Sequence, residues 1–141
     1  MLAQVLVGGM ASFVNIAIHS VCTVYLSYAV RRYWFKHQHT KFLFERVVLM
    51  IITVAILMAA HVTEVLVWAA SYVAVGATPA AASDLYLAFV SYATLGYGDV
   101  VPVPRWQLLG PLTAMNGILL FGWSTAIIFE VVRTSLRDIQ G

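Results

Sequence analysis

The fold of this chain is decided by the stretch Thr-Leu-Gly-Tyr-Gly-Asp at residues 94–99, in which positions 96 and 98 are glycine. Glycine reaches backbone dihedrals that other residues avoid, so Gly96 and Gly98 allow successive carbonyl groups to point the same way. A stack of carbonyl oxygens that faces one axis can replace the hydration shell of a cation. Thr94 adds a hydroxyl oxygen at one end, and Asp99 adds a negative charge at the other. We therefore predict a cation-binding loop, whereas an isolated motif of this kind would more often be a plain glycine-rich turn.

The composition of the chain is that of a membrane protein. Of its 141 residues, 62% are hydrophobic and only 10% are charged, whereas soluble domains have about 45–50% apolar and about 25% charged residues. The length allows one domain. The single cysteine, Cys22, excludes a disulfide within the chain, and we interpret it as a small buried apolar residue.

Three apolar runs are each longer than the roughly 20 residues that a helix needs to cross a bilayer. They are residues 5–30, 47–75 and 111–132. The first has no positive charge before it and is followed by Arg31-Arg32 rather than by small residues, so we predict a retained span and not a signal peptide.

A fourth apolar segment, residues 83–93, is too short to span and runs directly into the glycine loop. This pattern is typical of a re-entrant half-helix that stops at membrane depth. Ser83 and Asp84 are suitable residues for its N-cap and first turn. Its partly negative C-terminal end would then point towards a cation in the membrane.

Seven of the eight basic residues fall on one predicted side of the membrane, either between the first two spans or after the third. The positive-inside rule makes this side cytoplasmic. We therefore expect the N-terminus outside, the C-terminus inside, and the segment 76–109 dipping in from the outside. The connector around residues 31–46 mixes cations with aromatic residues; an amphipathic segment on the inner leaflet and a solvated turn both fit it.

From about residue 47 to residue 132 the chain resembles the potassium-channel pore domain, in the small bacterial form with one extra N-terminal helix. The glycine loop and the stretch 110–126 carry the resemblance. It implies an all-α membrane protein with three transmembrane helices, a re-entrant pore helix and an extended selectivity filter, assembled as a homotetramer. The implied parts are an N-terminal helix and basic connector (1–46), an outer helix (47–75), a pore helix (83–93), a filter (94–99), an inner helix (111–132) and a short cytoplasmic tail (133–141).

The resemblance also implies the roles of individual residues. The carbonyls of the filter would bind K⁺, with Asp99 at the outer mouth. On the inner helix, one face would line a water-filled cavity, and two glycines would be hinge candidates, although close helix packing explains these glycines equally well. The implied residues are Thr94, Leu95, Gly96, Tyr97 and Gly98 in the filter, Ile118, Phe121 and Thr125 in the cavity, and Gly117 and Gly122 as hinges.

Two positions depart from the family pattern. Many relatives have paired tryptophans in the pore helix that brace the filter, and here those positions are Tyr86 and Leu87. A second threonine often precedes the filter threonine, where this chain has Ala93. We expect the filter to be braced by other side chains, with Tyr86, Ser91 and Tyr92 as candidates. These departures leave open a weakly selective cation channel.

A set of polar residues lies inside the first two predicted spans. Counted inward from the basic connector, His19 and His61 fall at similar depth, and Asn15 falls near Glu64. Ionisable groups at bilayer depth usually face protein and find partners there. Three roles fit this pattern: interhelical hydrogen bonds that attach the first helix, a pH sensor, and a divalent metal site.

These observations favour a passive potassium channel of the cell (inner) membrane, with K⁺ as the permeant ion and no cofactor. The expected partners are three further copies of the chain and the lipid bilayer, and we expect no nucleic acid. No arrangement of nucleophile and base points to catalysis, so we expect no enzyme. The alternatives are a non-conducting subunit that modulates another channel and, with less support, a proton-linked transporter.

Overall fold

The computed structural model describes residues 1–36 and 43–137 of the chain, and all its regular structure is helical. The helices are α1 (Leu2–Lys36), α2 (Leu43–Val75), α3 (Asp84–Tyr92) and α4 (Leu109–Arg137), with a short 3₁₀ turn at Pro104–Trp106. Among these residues, three helices are long and apolar enough to cross a membrane. The chain is a multi-pass membrane protein.

The long helices extend beyond the apolar runs that predict them. The span 5–30 lies within α1, which continues to Lys36, and the span 111–132 lies within α4, which continues to Arg137. At 1.5 Å per residue, the 33 residues of α2 cover about 50 Å, more than the hydrocarbon core of a bilayer. Apolar runs therefore mark the part of each helix that lies in lipid. Residues 31–36 of the predicted basic connector belong to α1 and residues 43–46 belong to α2, while residues 37–42 lie outside the described residues.

The half-helix α3 begins and ends where its capping residues predict. The Ser83 hydroxyl accepts a hydrogen bond from the Tyr86 amide at 3.3 Å, and Asp84 occupies the first turn. At the other end, the Ala93 amide donates to the Phe89 carbonyl. Upstream, Gly76 ends α2 with φ +62°, a conformation that favours glycine at this position.

Helices α2 and α4 pack against each other, and each of them also contacts both α1 and α3. The amide of Leu108, just before α4, donates to Gln4 near the start of α1, so these two helices begin at the same end of the molecule. At the opposite end the Arg46 guanidinium donates to the Ser135 carbonyl, which joins the start of α2 to the last turn of α4. The loop after α3 therefore shares its end of the molecule with the N-terminus, and the beginning of α2 shares the other end with the C-terminal turn.

Buried apolar residues form two clusters along the bundle. The larger one surrounds α3 and includes Trp68, Tyr72 and Tyr92, and the smaller one lies towards the Arg46 end around Leu26 and Leu57. Each long helix also contributes buried polar residues near its middle. These are Asn15 and His19 on α1, His61 and Glu64 on α2, and Asn116 and Ser124 on α4.

Candidate functional site

The backbone of loop 94–99 alternates in handedness. Its φ angles are positive at Thr94 (60°), Gly96 (56°) and Gly98 (80°), and at no other residue of the loop. Alternating right- and left-handed residues turns successive peptide groups to the same side of the chain, which is how such backbones form ion-binding concavities. A positive φ costs threonine of the order of 1–2 kcal/mol. The structure therefore maintains a strained backbone at Thr94, and strain of this kind is concentrated at functional sites.

The inner part of the loop is attached to the end of α3 by backbone hydrogen bonds. The amide of Thr94 donates to the Ser91 carbonyl at 3.0 Å, and the amide of Leu95 donates to the Val90 carbonyl at 2.9 Å. These bonds use the amide groups of the loop, so its carbonyl oxygens remain available for a cation. Residues 93–99 are exposed in the single chain, with Leu95 and Tyr97 exposed by 54% and 67%.

A cleft of about 610 Å³ lies beside this loop, between α3 and the beginning of α4. Its walls are mainly apolar and include Leu87, Val90, Pro102 and Ala114 as well as the backbone of Gly96 and Gly98. The loop thus has an open apolar groove on one side and two large exposed side chains of its own.

Tyr86 occupies one of the positions at which many relatives have tryptophan, and it contacts the outer end of the loop. Its hydroxyl donates to Asp99 Oδ2 at 2.6 Å, and the Val100 amide donates to Asp99 Oδ1 at 3.0 Å. The Tyr86 hydrogen bond is the main cause that lowers the pKa of Asp99 below its usual value, with a smaller contribution from the amide. Asp99 therefore remains a carboxylate at neutral pH. Leu87 is buried in the apolar cluster and has no polar atom to brace the loop.

The inner-helix residues fall into two groups. Ile118 is 59% exposed and Thr125 is exposed, whereas Phe121 contacts the rings of His61 and Tyr92 with one side and is still 38% exposed. Gly117 lies directly against the end of α3, because a Cβ at this position would overlap the carbonyl of Tyr92. In contrast, a Cβ at Gly122 would meet nothing within 4 Å. Close packing therefore explains Gly117 in this conformation, and it does not explain Gly122.

A second polar site lies between α1, α2, α3 and α4 at the centre of the bundle. The carboxylate of Glu64, which is fully buried, lies 2.8 Å from His19 Nδ1 and 2.9 Å from His61 Nδ1, with one ring at each carboxylate oxygen. The Tyr92 hydroxyl donates to the same carboxylate. On the far side of the rings, Ser124 Oγ lies 2.9 Å from His61 Nε2 and 3.4 Å from His19 Nε2. We call these five residues the His–Glu cluster.

A second group of polar residues lies next to the His–Glu cluster. Asn15 Nδ2 donates to the Glu64 carbonyl at 3.2 Å and to Asn116 Oδ1 at 2.9 Å. Trp68 Nε1 donates to the same Asn116 oxygen at 3.0 Å. Thus the structure brings Asn15, His19, His61 and Glu64 together, and it joins all four helices through them.

Sequence reasoning did not find three members of these networks. Ser124 and Asn116 lie in the apolar run of α4, and Trp68 lies in the apolar run of α2. Tyr92 was considered only as a brace for the filter. The available signal was that Asn116 and Ser124 are eight residues apart, close to two helical turns, which places them on the same face of α4.

A protein-family model described as "Ion channel" matches residues 60–134, which is more than half of the chain. The matched segment contains the second half of α2, all of α3, the loop 94–99 and almost all of α4. The chain therefore belongs to this ion channel family, and the resemblance to the potassium-channel pore domain is confirmed. Searches of curated proteins and of solved structures gave no match.

Proposed function

We propose that this protein is a potassium-selective channel in which four copies of loop 94–99 surround one axis. Dehydrated K⁺ would be held by the carbonyl oxygens of residues 94–97 together with the Thr94 hydroxyl. Adjacent sites in single file allow ions to move by mutual repulsion, as in other pores of this kind. Membership in the ion channel family supports permeation, and the loop supports the choice of ion.

The observation that carries the proposal is the alternation of φ at Thr94, Gly96 and Gly98. An ordinary turn needs one or two left-handed residues and ends there. Here the alternation continues over five residues and includes a threonine, for which the conformation is costly. A row of carbonyl groups directed to one side is the product of such an alternation, and a monovalent cation without its water needs such a row.

Fourfold assembly is supported by the exposed loop 94–99 and by the apolar cleft beside it. One loop supplies only one side of an oxygen cage, so a closed ring of copies is needed to surround an ion. The exposed side chains of Leu95 and Tyr97 and the apolar cleft beside the loop are suited to each other as parts of one contact between neighbouring copies. We therefore propose that the cleft of one copy receives the loop side chains of the next.

The orientation follows from charge. Basic residues are concentrated at the end of the molecule where α2 begins and α4 finishes, and the positive-inside rule makes that end cytoplasmic. Asp99 then lies at the outer mouth, where four carboxylates would raise the local concentration of cations. We propose the cell (inner) membrane as its location.

The test is K⁺ flux into vesicles that contain the purified protein. In Gly96→Ala the added Cβ conflicts with a φ of +56°, and we expect flux to fall to the level of empty vesicles. The matched control is Gly9→Ala, since Gly9 lies in α1 and an added Cβ meets nothing within 4 Å. Equal flux through Gly96→Ala and the control would contradict the proposed pathway.

The same vesicles separate the two alternatives. Replacing K⁺ by Na⁺ measures selectivity, and comparable flux of both ions would indicate a weakly selective cation channel. No flux from a protein that is stable only together with a different channel subunit would indicate a modulating subunit. The Tyr86–Asp99 hydrogen bond makes the first alternative less favourable, because it braces the loop where the tryptophans are missing.

A further inference from the structure

Three polar groups surround the Glu64 carboxylate in the His–Glu cluster. The two histidine Nδ1 atoms lie 2.8 and 2.9 Å from its oxygens, and the Tyr92 hydroxyl donates to it. His61 Nδ1 also lies 2.9 Å from the Tyr92 hydroxyl. An ionised carboxylate only accepts hydrogen bonds, so with Glu64 ionised both Nδ1 atoms carry a proton, and only the two Nε2 atoms remain to be assigned.

Both Nε2 atoms face the same hydroxyl. Ser124 Oγ lies 2.9 Å from His61 Nε2 and 3.4 Å from His19 Nε2. If both rings are neutral, both Nε2 atoms are acceptors, and the single hydroxyl proton can satisfy only one of them. One buried ring nitrogen would then be left without a hydrogen-bond partner, which is unfavourable inside the bundle.

One additional proton removes this conflict. If one ring is an imidazolium, its Nε2–H donates to Ser124 Oγ, and the Ser124 hydroxyl donates to the other ring. Every ring nitrogen and both Glu64 oxygens are then satisfied. The charge balances as well, since one imidazolium and one carboxylate sum to zero, whereas two neutral rings leave a net negative charge at bilayer depth. Two imidazoliums would leave a net positive charge.

The other groups around the cluster do not change this balance. Helix α1 contributes His19 and also Cys22, whose thiol interacts electrostatically with Glu64. Helix α2 contributes His61 and Glu64, and α3 contributes Tyr92. From α4 the neighbours are Ser124, the edge of the Trp123 ring and Phe121, which are all uncharged.

We propose that the His–Glu cluster is a proton-binding site that holds one proton, shared between His19 and His61 through Ser124. The site links proton binding to the proposed pore, because Tyr92 lies two residues before Thr94 and Ser124 lies next to Thr125. The Phe121 ring, which contacts His61, is itself partly exposed. The link to conduction rests on the proposed function, whereas the proton site does not.

The same three side chains, His19, His61 and Glu64, could also approach a metal ion, since one ligand atom from each lies within 4.8 Å of the others. The test therefore includes a chelator, which separates a metal site from a proton site.

The test is nitrogen NMR of the histidine rings in the full-length protein in lipid vesicles. The chain has four histidines, so a His37→Gln/His39→Gln background leaves only His19 and His61. At pH 7 we expect one imidazolium and one neutral ring protonated on Nδ1 per chain, or the average of the two states. Two neutral rings or two imidazoliums would overturn the proposal, and so would ring signals that change when a chelator removes a metal.

Two variants test the sharing of the proton. Ser124→Ala removes only a hydroxyl, and we expect the imidazolium nitrogen signal at pH 7 to be largely lost, because the bridge between the two rings is removed. Ser20→Ala is the matched control, because the Ser20 hydroxyl donates to the Ile16 carbonyl of its own helix, and its imidazolium signal should match that of wild type. Equal imidazolium signals from the two variants would show that Ser124 does not share the proton.

A flux measurement tests the link to the pore. K⁺ flux should change over the same pH range as the imidazolium signal, and this pH dependence should be altered in Ser124→Ala. Flux independent of pH over that range would overturn the link and leave the proton site standing. Absence of K⁺ flux at any pH would contradict the proposed function, and the NMR result would not depend on it.

Discussion

The loop 94–99 and the His–Glu cluster are opposite kinds of polar site. The cluster is buried, and its members find their partners within one chain. The loop is exposed along its whole length, and within the described residues its amide groups, together with the Asp99 side chain, form its hydrogen bonds. This contrast indicates that the cluster is complete in a single copy, whereas the loop is one part of a site that further copies must complete. Changes at the cluster should therefore affect the stability of the chain, and changes at the loop should affect ion flux.

The largest effect on stability is expected for Glu64→Ala. This change leaves two ring N–H groups and the Tyr92 hydroxyl without their acceptor, and at roughly 1 kcal/mol for each lost bond the chain should lose about 3 kcal/mol. Thermal unfolding in detergent measures the loss. The control is Glu130→Ala, because Glu130 is 64% exposed and its contact with Arg133 is 3.9 Å long. Similar stability of both variants would mean that the cluster does not attach α1 to the bundle.

Gly117→Ala is expected to have the next largest effect. The added methyl group would overlap the Tyr92 carbonyl, so either α3 or α4 must shift, at about 2 kcal/mol. Gly122→Ala is the matched control, since the new Cβ meets nothing within 4 Å, and its stability should be unchanged or slightly raised. If Gly117→Ala instead unfolds like wild type and alters only channel opening, this glycine is a hinge and not a packing residue.

The smallest effect is expected at the outer mouth, in Tyr86→Phe. The Tyr86 hydrogen bond lowers the pKa of Asp99. The Asp99 carboxylate is therefore fully charged at and above the pKa of an ordinary carboxyl group, and it loses its charge only when the pH falls to its own lower pKa. Without the hydroxyl, Asp99 becomes protonated at higher pH, and K⁺ flux should begin to fall at higher pH than in wild type. Tyr25→Phe is the control, because Tyr25 is an exposed side chain on α1. Identical acid profiles for the two variants would show that Tyr86 does not set the charge at the mouth.

The sequence predicted the features that neighbouring residues determine, and it did not predict those that depend on contacts between helices. Helices α1, α2 and α4 follow from continuous apolar runs, and α3 follows from its length and from Ser83, because these signals are local. The depth of His19, His61 and Glu64 also followed from counting residues along helices. In contrast, the partners Tyr92, Ser124 and Asn116 depend on how the helices rotate against each other, and a single sequence does not specify that rotation. For the same reason the packing of Gly117 against Tyr92 could not be separated from a hinge.

The central claim is that loop 94–99 from four copies surrounds a dehydrated K⁺, and a map of bound cations tests it most directly. Crystals of the assembled protein grown with Rb⁺ in place of K⁺ allow the ions to be located by their anomalous scattering. The account predicts several peaks in single file on a fourfold axis, next to the carbonyls of residues 94–97. Peaks away from this loop, or a purified protein that is monomeric with its loop turned from any shared axis, would contradict it.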